Sequence, residues 1–455
     1  MLSSPSSLPR LLRPALRRGL VAQRPVAASG RPARGCVSSI AVAARRPLST
    51  TASMRLASPS PIDLSDVPPT PITHLSEIEA AMGQSVCKFA AEEVFPRSRD
   101  MDEAEKMDRD LVLRLFEQGL MGIEIPEEYG GAGMNFTAAI VAIEELARAD
   151  PSVSVLVDVH NTLVNTAFLK YATPELKRKW LPRLATDCVG SFCLSEPTSG
   201  SDAFALATRA EAVDNGAGYK ISGSKVWITN ANEAGVFIVF ANVDPSKGHR
   251  GITAFIVEKE DSGFEVVRTE KKLGIRASST GVLTLDNVYV SADKVLGEVG
   301  QGYKMAIDLL NEGRIGIAAQ MTGLALGAFE HAARYVLNDR RQFGTLVGEF
   351  QGMQHQMAQS YTELTAARAL VYNAARRKEA GLDFVRDAAM AKLFSSQVAS
   401  RVSGLAVEWM GGMGFVRDGP LEKYWRDSKI GAIYEGTSNI QLNTIAKWIA
   451  KEFKQ

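Results

Sequence analysis

Cysteine and histidine are scarce in this sequence of 455 residues. The four cysteines, Cys36, Cys87, Cys188 and Cys193, stand at spacings typical of neither a metal site nor a disulfide framework. The five histidines are also scattered, with no HExxH pair and no cluster of His and Cys. These absences predict that the protein holds no metal and that its thiols stay free in a reducing compartment.

Lysine and acidic residues are missing from the first 62 residues, which contain ten arginines among Ser, Ala and Leu. An Arg-rich, acid-free N-terminal segment is typical of a mitochondrial presequence. We place this presequence at residues 1–54, with cleavage between Arg46 and Arg55, and therefore predict location in the mitochondrial matrix. The alternative is a disordered basic tail that binds acidic partners.

Basic residues are in the minority once this segment is set aside. Without its ten arginines the count of Lys and Arg falls from 52 to 42, against 51 acidic residues. A mildly acidic body disfavours a nucleic-acid-binding surface spread over the protein. No run of 18 apolar residues occurs either, so the sequence predicts no membrane-spanning helix.

The remaining chain changes character twice. After a linker rich in Pro and Ser at 55–72, apolar residues recur with the 3.6-residue period of helices over 73–188. Short β-branched and aromatic runs, punctuated by Gly, Asn and Asp, fill 189–300. Long helical patterns return over 301–455. The predicted fold is a multidomain α+β fold: an N-terminal helical domain, a middle antiparallel β-barrel or sandwich domain, and a C-terminal four-helix bundle.

A glycine pattern that could bind a dinucleotide is incomplete. Gly300 and Gly302 follow a predicted strand, but Met305 occupies the sixth position of the G-x-G-x-x-G pattern. The sequence therefore disfavours a nicotinamide site.

Two stretches resemble the acyl-CoA dehydrogenase family: FCLSEPTSGSD at 192–202 and YEGTSNIQLNTIAK at 434–447. The order of helical, β and helical regions resembles that family as well, and the likeness spans roughly residues 75–455. The resemblance implies a flavoprotein that binds FAD and dehydrogenates an acyl-CoA substrate.

The resemblance implies that Glu435 is the catalytic base, which removes the α-proton of the thioester while the β-hydrogen leaves as hydride. Such a base needs a dry pocket, because desolvation raises the pKa of a carboxyl group. Gly436 presents no side chain where the thioester would approach. The ordinary alternative for Glu435 is an exposed loop residue.

A second position for the base can be tested in the sequence. A subgroup similar to isovaleryl-CoA dehydrogenase places its base on the first long helix of the bundle, and the matching residue here is Gly313. Glu312 lies one residue earlier, about 100° round a helix, and would point elsewhere. The sequence therefore leaves Glu435 as the only base.

The resemblance also implies contacts with FAD. In the middle domain, Trp227 would pack on the flavin and Thr229 would bind near it, whereas the alternative for Trp227 is a core residue. The segment FCLSEPTSGSD would line the flavin and the thioester, whereas its alternative is an ordinary hairpin loop. Arg340 would bind the pyrophosphate, and the stretches RRQFG and EWMGG would reach the flavin of a neighbouring subunit in a homotetramer. The full predicted set is Phe192, Leu194, Ser195, Gly200, Ser201, Trp227, Ile228, Thr229, Arg340, Gln351, Glu408, Trp409, Met410, Gly411, Gly412, Thr437, Ser438 and Asn439.

Substrate contacts follow from the same resemblance, and Arg314 in NEGR would contact the CoA portion. His249 stands where the subgroup commonly has Tyr, so its contact with CoA stays open, and it could simply be a surface loop residue. The predicted set is Ser201, His249, Tyr303, Asn311, Glu312, Gly313 and Arg314.

The stretches NEGRIGIAAQM, ASST and YEGTSNIQLNTIAK resemble the short/branched-chain subgroup most. They imply α,β-dehydrogenation of 2-methylbutanoyl-CoA, isobutyryl-CoA or butanoyl-CoA, with electrons passing to electron-transfer flavoprotein. An acyl-CoA oxidase and a catalytically idle assembly scaffold are the alternatives. The chain-length preference depends on packing that the sequence does not fix.

Overall fold

The computed structural model describes residues 73–454. The predicted presequence at 1–54 and linker at 55–72 lie outside the described residues. The first helical region contains the helices α1 Glu77–Phe89, α2 Phe95–Ala104, α3 Arg109–Glu117, α4 Phe136–Ala149, α5 Pro151–Asp158, α6 Thr166–Tyr171 and α7 Pro174–Thr186.

Side-chain caps define where these helices begin. Ser76 and Glu79 form a capping box at α1. The side chains of Asn135, Asp150 and Thr173 accept backbone N–H bonds at the starts of α4, α5 and α7. These caps satisfy N–H groups that a helix leaves without intrahelical partners.

A π-helical segment, Val159–Asn165, joins α5 to α6 and is buried throughout. Its residue His160 contacts two other parts of the fold: Nε2 lies 2.9 Å from Leu184 O, and Nδ1 accepts a hydrogen bond from Gly190 N–H at 2.9 Å. An acceptor at Nδ1 requires the neutral ring with its proton on Nε2. Burial lowers the pKa of His160 to about 4.

His160 is therefore expected to make the protein sensitive to acid. As the pH falls from about 6.5 towards about 4, the unfolded chain takes up a proton that the folded protein excludes, and stability is lost. His160→Gln, which keeps a donor and an acceptor, should flatten this part of the pH–stability curve in urea denaturation. His355→Gln, at an exposed position of the last domain, is the control. Equal acid sensitivity in wild type and His160→Gln would contradict this assignment.

The middle region is one eight-stranded sheet, hydrogen-bonded in the order β6-β7-β3-β2-β4-β5-β8, with β1 paired to β4. Its strands are β1 Val189–Cys193, β2 Arg209–Val213, β3 Gly218–Thr229, β4 Ala234–Asn242, β5 Ile252–Glu258, β6 Phe264–Thr269, β7 Thr280–Ser291 and β8 Val295–Leu296. Alternate residues of β4 face opposite sides: Phe237 and Val239 lie in the core of the sheet, whereas Val236 and Ile238 pack in the core shared with the helices.

The expectation of a purely antiparallel domain is wrong in one respect, because β1 and, at one residue pair, β2 run parallel to β4. Two strands, β2 and β3, separate β1 from β4 in the chain. That connection is long enough to bring β4 back in the direction of β1, which a tight hairpin cannot do.

The last region is helical, as predicted. Its elements are α8 Gly302–Asn338, the hairpin β9 Arg341–Gln342 and β10 Thr345–Leu346, α9 Gln351–Glu379, α10 Val385–Met410, α11 Gly412–Phe415, α12 Leu421–Ser428 and α13 Ser438–Phe453. The helix α10 packs against α8, α9 and α13, and α8 also packs against α4 of the first region. The long helix α8 therefore links the first and last helical regions.

Over residues 73–454, no helix is long and apolar enough to cross a membrane. The same described residues contain no cluster of His, Cys, Asp and Glu that could hold a metal ion.

Candidate active site

Glu435 lies in the short loop that precedes α13. Its φ angle is 51° and that of Gly436 is 86°, so two consecutive residues are left-handed. Such a conformation costs roughly 1–2 kcal/mol for a non-glycine residue. Thr437 Oγ1 then accepts a hydrogen bond from Ile440 N–H at 3.3 Å and begins α13. The loop therefore turns sharply at Glu435, with the helix cap fixing its far side.

The carboxyl group of Glu435 is directed into the protein. Its Oε2 atom is buried and has no hydrogen-bond partner among the described residues. A Cβ atom placed on Gly313 would lie 3.1 Å from this oxygen and 2.9 Å from Leu163 Cδ2. The absence of a side chain at Gly313 therefore makes the space that the carboxyl group occupies.

One stripe of α8 faces this carboxyl group. Gly313, Gly316 and Gln320 are spaced at i, i+3 and i+7, which places them on the same side of the helix. A Cβ atom on Gly316 would overlap the carboxyl group of Asp158, and the hydroxyl of Tyr434 donates to Gln320 Oε1. Through these contacts, α8 packs against both the end of α5 and the loop of Glu435, and the three segments surround the carboxyl group.

Burial raises the pKa of Glu435 to about 7, although Arg314 and Lys392 oppose the rise. Burial and the nearby Glu435 charge raise the pKa of Asp158 well above its usual value, against a 2.9 Å hydrogen bond from Thr162 Oγ1. Burial thus favours the protonated form of Asp158, and Glu435 is a carboxyl group that exchanges a proton near neutral pH.

The strand segment around Trp227 presents an aromatic surface. Trp227 is 63 % exposed and has a φ angle of 61°, at a register shift between Lys225 and Ile228. A bulge of this kind turns a side chain out of the usual alternation. Ser191 Oγ donates to Thr229 O at 2.6 Å, which holds β1 beside β3. Phe192 on β1 is half-buried and packs on Phe240.

A buried ion pair supports the adjoining loop. Lys225 Nζ lies 2.8 Å from Glu196 Oε1 and donates to Leu194 O at 3.1 Å, and both side chains are buried. Glu196 also accepts backbone N–H bonds from Ala207 and Thr208. Burial alone would raise the pKa of Glu196, but Lys225 and these hydrogen bonds hold it below its usual value. The pair joins the loop after β1 to β3, and the N–H bonds to Glu196 join the same loop to the start of β2. The other predicted loop residues, Ser195, Gly200 and Ser201, lie at its half-buried or exposed rim.

Two distant predicted segments meet at Arg340. Its Nη1 donates to Trp409 O, and a Cβ atom on Gly411 would lie 2.8 Å from its Nη2. RRQFG and EWMGG are therefore neighbours within one chain. Several predicted cofactor residues at the nearby helix ends are exposed or half-buried: Gln351, Glu408, Met410 and Gly412. Thr437, Ser438 and Asn439 lie instead at the start of α13.

The predicted substrate residues form two groups. The rings of His249 and Tyr303 lie 4.5 Å apart, centroid to centroid. Further along α8, Arg314 Nη1 donates to Asn311 Oδ1 at 2.8 Å. Tyr303 and Arg314 share a helix face at i and i+11, about 16 Å apart along the axis. An extended ligand could therefore follow α8 from the first group to Glu435.

Several residues of the predicted site have buried side chains. Glu312 is buried, pairs with Lys170 and lies 3.3 Å from Lys378 Nζ, because its one-residue offset from Gly313 turns it away from the base. Leu194, Ile228 and Trp409 have buried side chains in the apolar cores. Trp409 Nε1 donates to Gln356 Oε1. These last three residues can meet a ligand only through their backbone atoms.

Three site residues were missed by sequence reasoning: Asp158, Lys392 and Gln441. Gln441 Nε2 donates to Glu435 O at 3.0 Å and to Gly436 O at 2.9 Å. For Asp158 and Lys392, the available signal was a charged residue inside an otherwise apolar helical pattern, in VLVDVH and AAMAKLF. Such residues are rarely buried without a partner.

Family comparison decides the class of this site. Models of the acyl-CoA dehydrogenase N-terminal, middle and C-terminal domains match residues 76–187, 191–288 and 300–450. The chain belongs to the acyl-CoA dehydrogenase family. It is thus an oxidoreductase with the fold that its sequence predicted.

Individual relatives agree with this assignment. A probable short/branched chain specific acyl-CoA dehydrogenase of Dictyostelium discoideum is 54 % identical over 385 residues, covering 85 % of this chain and 93 % of the relative. The mitochondrial short/branched chain specific acyl-CoA dehydrogenase of Rattus norvegicus is 52 % identical, covering 84 % and 88 %. The butyryl-CoA dehydrogenase structure from Megasphaera elsdenii superposes with a TM-score of 0.81 at 37 % identity, covering 83 % of this chain and 99 % of that one.

Proposed function

We propose that this enzyme dehydrogenates a short or short branched acyl-CoA thioester between its α and β carbons, with Glu435 as the base. The observation on which this depends is the buried Oε2 of Glu435, which has no partner in the described chain and lies against a glycine. A carboxylate with a pKa near 7 is well matched to accepting a proton at neutral pH. The relatives of short/branched-chain specificity support the proposed substrates, which are 2-methylbutanoyl-CoA, isobutyryl-CoA and butanoyl-CoA.

FAD fits the residues that surround the site. Trp227 offers an exposed aromatic face beside Thr229, and Arg340 offers a guanidinium group over Gly411, where a phosphate could bind. When bound, FAD would accept the β-hydrogen as hydride. We propose that these residues, with Phe192 and the start of α13, hold it. An aromatic wall at Trp227 would also keep water from the reacting carbons.

The chain's own residues then perform the proton chemistry. The thioester lies along α8, with its CoA portion towards Tyr303 and its α-carbon beside Glu435. Binding expels water and makes the carboxylate a stronger base. Glu435 takes the α-proton, and a backbone N–H group of the loop would donate to the thioester oxygen as charge develops there.

We further propose that the electrons pass to electron-transfer flavoprotein, that the enzyme is a homotetramer, and that it works in the mitochondrial matrix. The Arg-rich N-terminus and the mitochondrial name of the relative from Rattus norvegicus support this location.

A panel of thioesters tests the proposed function. Purified protein with its flavin, titrated anaerobically, should lose its visible absorbance with at least one of the three proposed substrates and not with a long-chain thioester. Turnover should need electron-transfer flavoprotein and release little peroxide, whereas rapid peroxide formation would indicate an oxidase. A flavin that none of these thioesters bleaches would overturn the proposal.

A further inference from the structure

Lys392 is a buried cation that the proposed mechanism does not use. It lies in the middle of α10 and is fully buried, and its Nζ donates to Gly436 O at 2.7 Å. Within residues 73–454 it forms no direct ion pair. An ammonium group removed from water without a carboxylate partner is costly. Its burial beside the base therefore needs a reason.

The bond from Lys392 restrains the left-handed turn at the base. Gly436 O accepts hydrogen bonds from both Lys392 Nζ and Gln441 Nε2, and Glu435 O accepts a second one from Gln441. A strained backbone persists only where its surroundings hold it in place. These side chains from α10 and α13 thus fix the direction in which Glu435 leaves the main chain.

Lys392 also belongs to the set of charges that faces Glu435. Arg314 faces the carboxyl group from α8, Lys392 from α10, Asp158 from the end of α5 and Tyr434 from the loop itself. Burial raises the pKa of both Asp158 and Tyr434 well above the usual values of these groups. The two cations lower the pKa of Glu435 and so favour its carboxylate form.

The two partners titrate together. Burial lowers the pKa of Lys392 to about 7, and the Glu435 carboxylate opposes that fall. Both groups exchange protons near the same pH, so the observed values belong to the pair. Loss of the cation removes one of the two charges that make ionisation of Glu435 possible in a dry site.

We propose that Lys392, through its bond to Gly436 O and its charge beside Glu435, is a positioning residue that aims the base and keeps it ionised. The role in catalysis rests on the proposed function. The effect of Lys392 on the pKa of Glu435 does not depend on turnover and can be measured in the unliganded enzyme.

Infrared difference titration of the holoenzyme tests this inference, with Glu435→Gln identifying the carboxyl band. Lys392→Met should raise the pKa of Glu435 by about 1 or more. Lys392→Gln, which can still donate to the carbonyl, should raise it similarly, whereas Lys392→Arg should leave it near the wild-type value. Lys272→Met is the matched control, because Lys272 Nζ donates to Ser278 O at 2.8 Å in the middle domain.

Steady-state kinetics of the same variants provide a second test. For Lys392→Met we expect kcat at pH 7 to fall about 10- to 100-fold, KM to change little, and part of kcat to return at higher pH. A residue that served only packing would lower kcat at every pH. The inference is overturned if the carboxyl band of Lys392→Met or Lys392→Gln titrates as in wild type. An inactive wild type with a shifted band in these variants would instead overturn the proposed function alone.

Discussion

Glu435→Gln is expected to abolish turnover of every acyl-CoA substrate, lowering kcat by at least about 10³-fold. Glutamine has nearly the size and shape of glutamate, so it fits the space beside Gly313. Its amide cannot accept a proton from the α-carbon. The loss should therefore appear in kcat, measured with the thioester panel and electron-transfer flavoprotein.

Folding and ligand binding provide the controls for this variant. Glu435→Gln should keep its flavin spectrum and thermal stability, because the wild-type Oε2 forms no hydrogen bond that the substitution would break. It should still bind the thioester without bleaching the flavin. Retention of full turnover would remove Glu435 from the mechanism as the base, while the dehydrogenation itself would stand.

Lys225→Met is expected to destabilise the enzyme by about 3–5 kcal/mol, because it leaves the Glu196 carboxylate buried without its cation. Leu194 O also loses its donor. Because this loop adjoins Trp227, we expect weaker retention of the flavin as well. Urea denaturation followed by tryptophan fluorescence measures the first effect, and gel filtration with absorbance measures the second.

The double variant Lys225→Met with Glu196→Gln separates charge from packing. The amide can still accept the N–H bonds of Ala207 and Thr208 without carrying a charge, so part of the lost stability should return. The surface pair of Arg178 and Glu175, whose side chains are 63 % and 74 % exposed, is the contrast. Arg178→Met should cost less than about 1 kcal/mol. Similar losses for Lys225→Met and Arg178→Met would contradict the role of burial.

The order of helical and β regions could be predicted because each local pattern has its own period. The long apolar stripes of α8 and α10 and the β-branched runs of β4 and β5 are strong signals of this kind. The strands β2, β6 and β8 give weaker signals. The first two contain few buried residues, and the third has only two residues.

The site was predictable only where a motif marks it. Glu435 and Trp227 belong to stretches that resemble the family, but Asp158 and Lys392 are single charged residues within apolar helices. Whether such a charge reaches solvent or a buried partner depends on packing between helices far apart in the sequence. The parallel pairing of β1 with β4 is likewise a product of tertiary contacts.

The geometry of the site depends on the number of residues in the π-helical segment Val159–Asn165, as well as on their identities. A π turn accommodates one more residue than an α turn. Deleting a single residue here would remove the π turn, and the residues inside it would move to new angles around the helix axis. The wall around Glu435, to which Asp158 and Leu163 belong, would then change even if every remaining amino acid were kept. Along this segment, relatives should therefore tolerate substitutions far better than insertions or deletions.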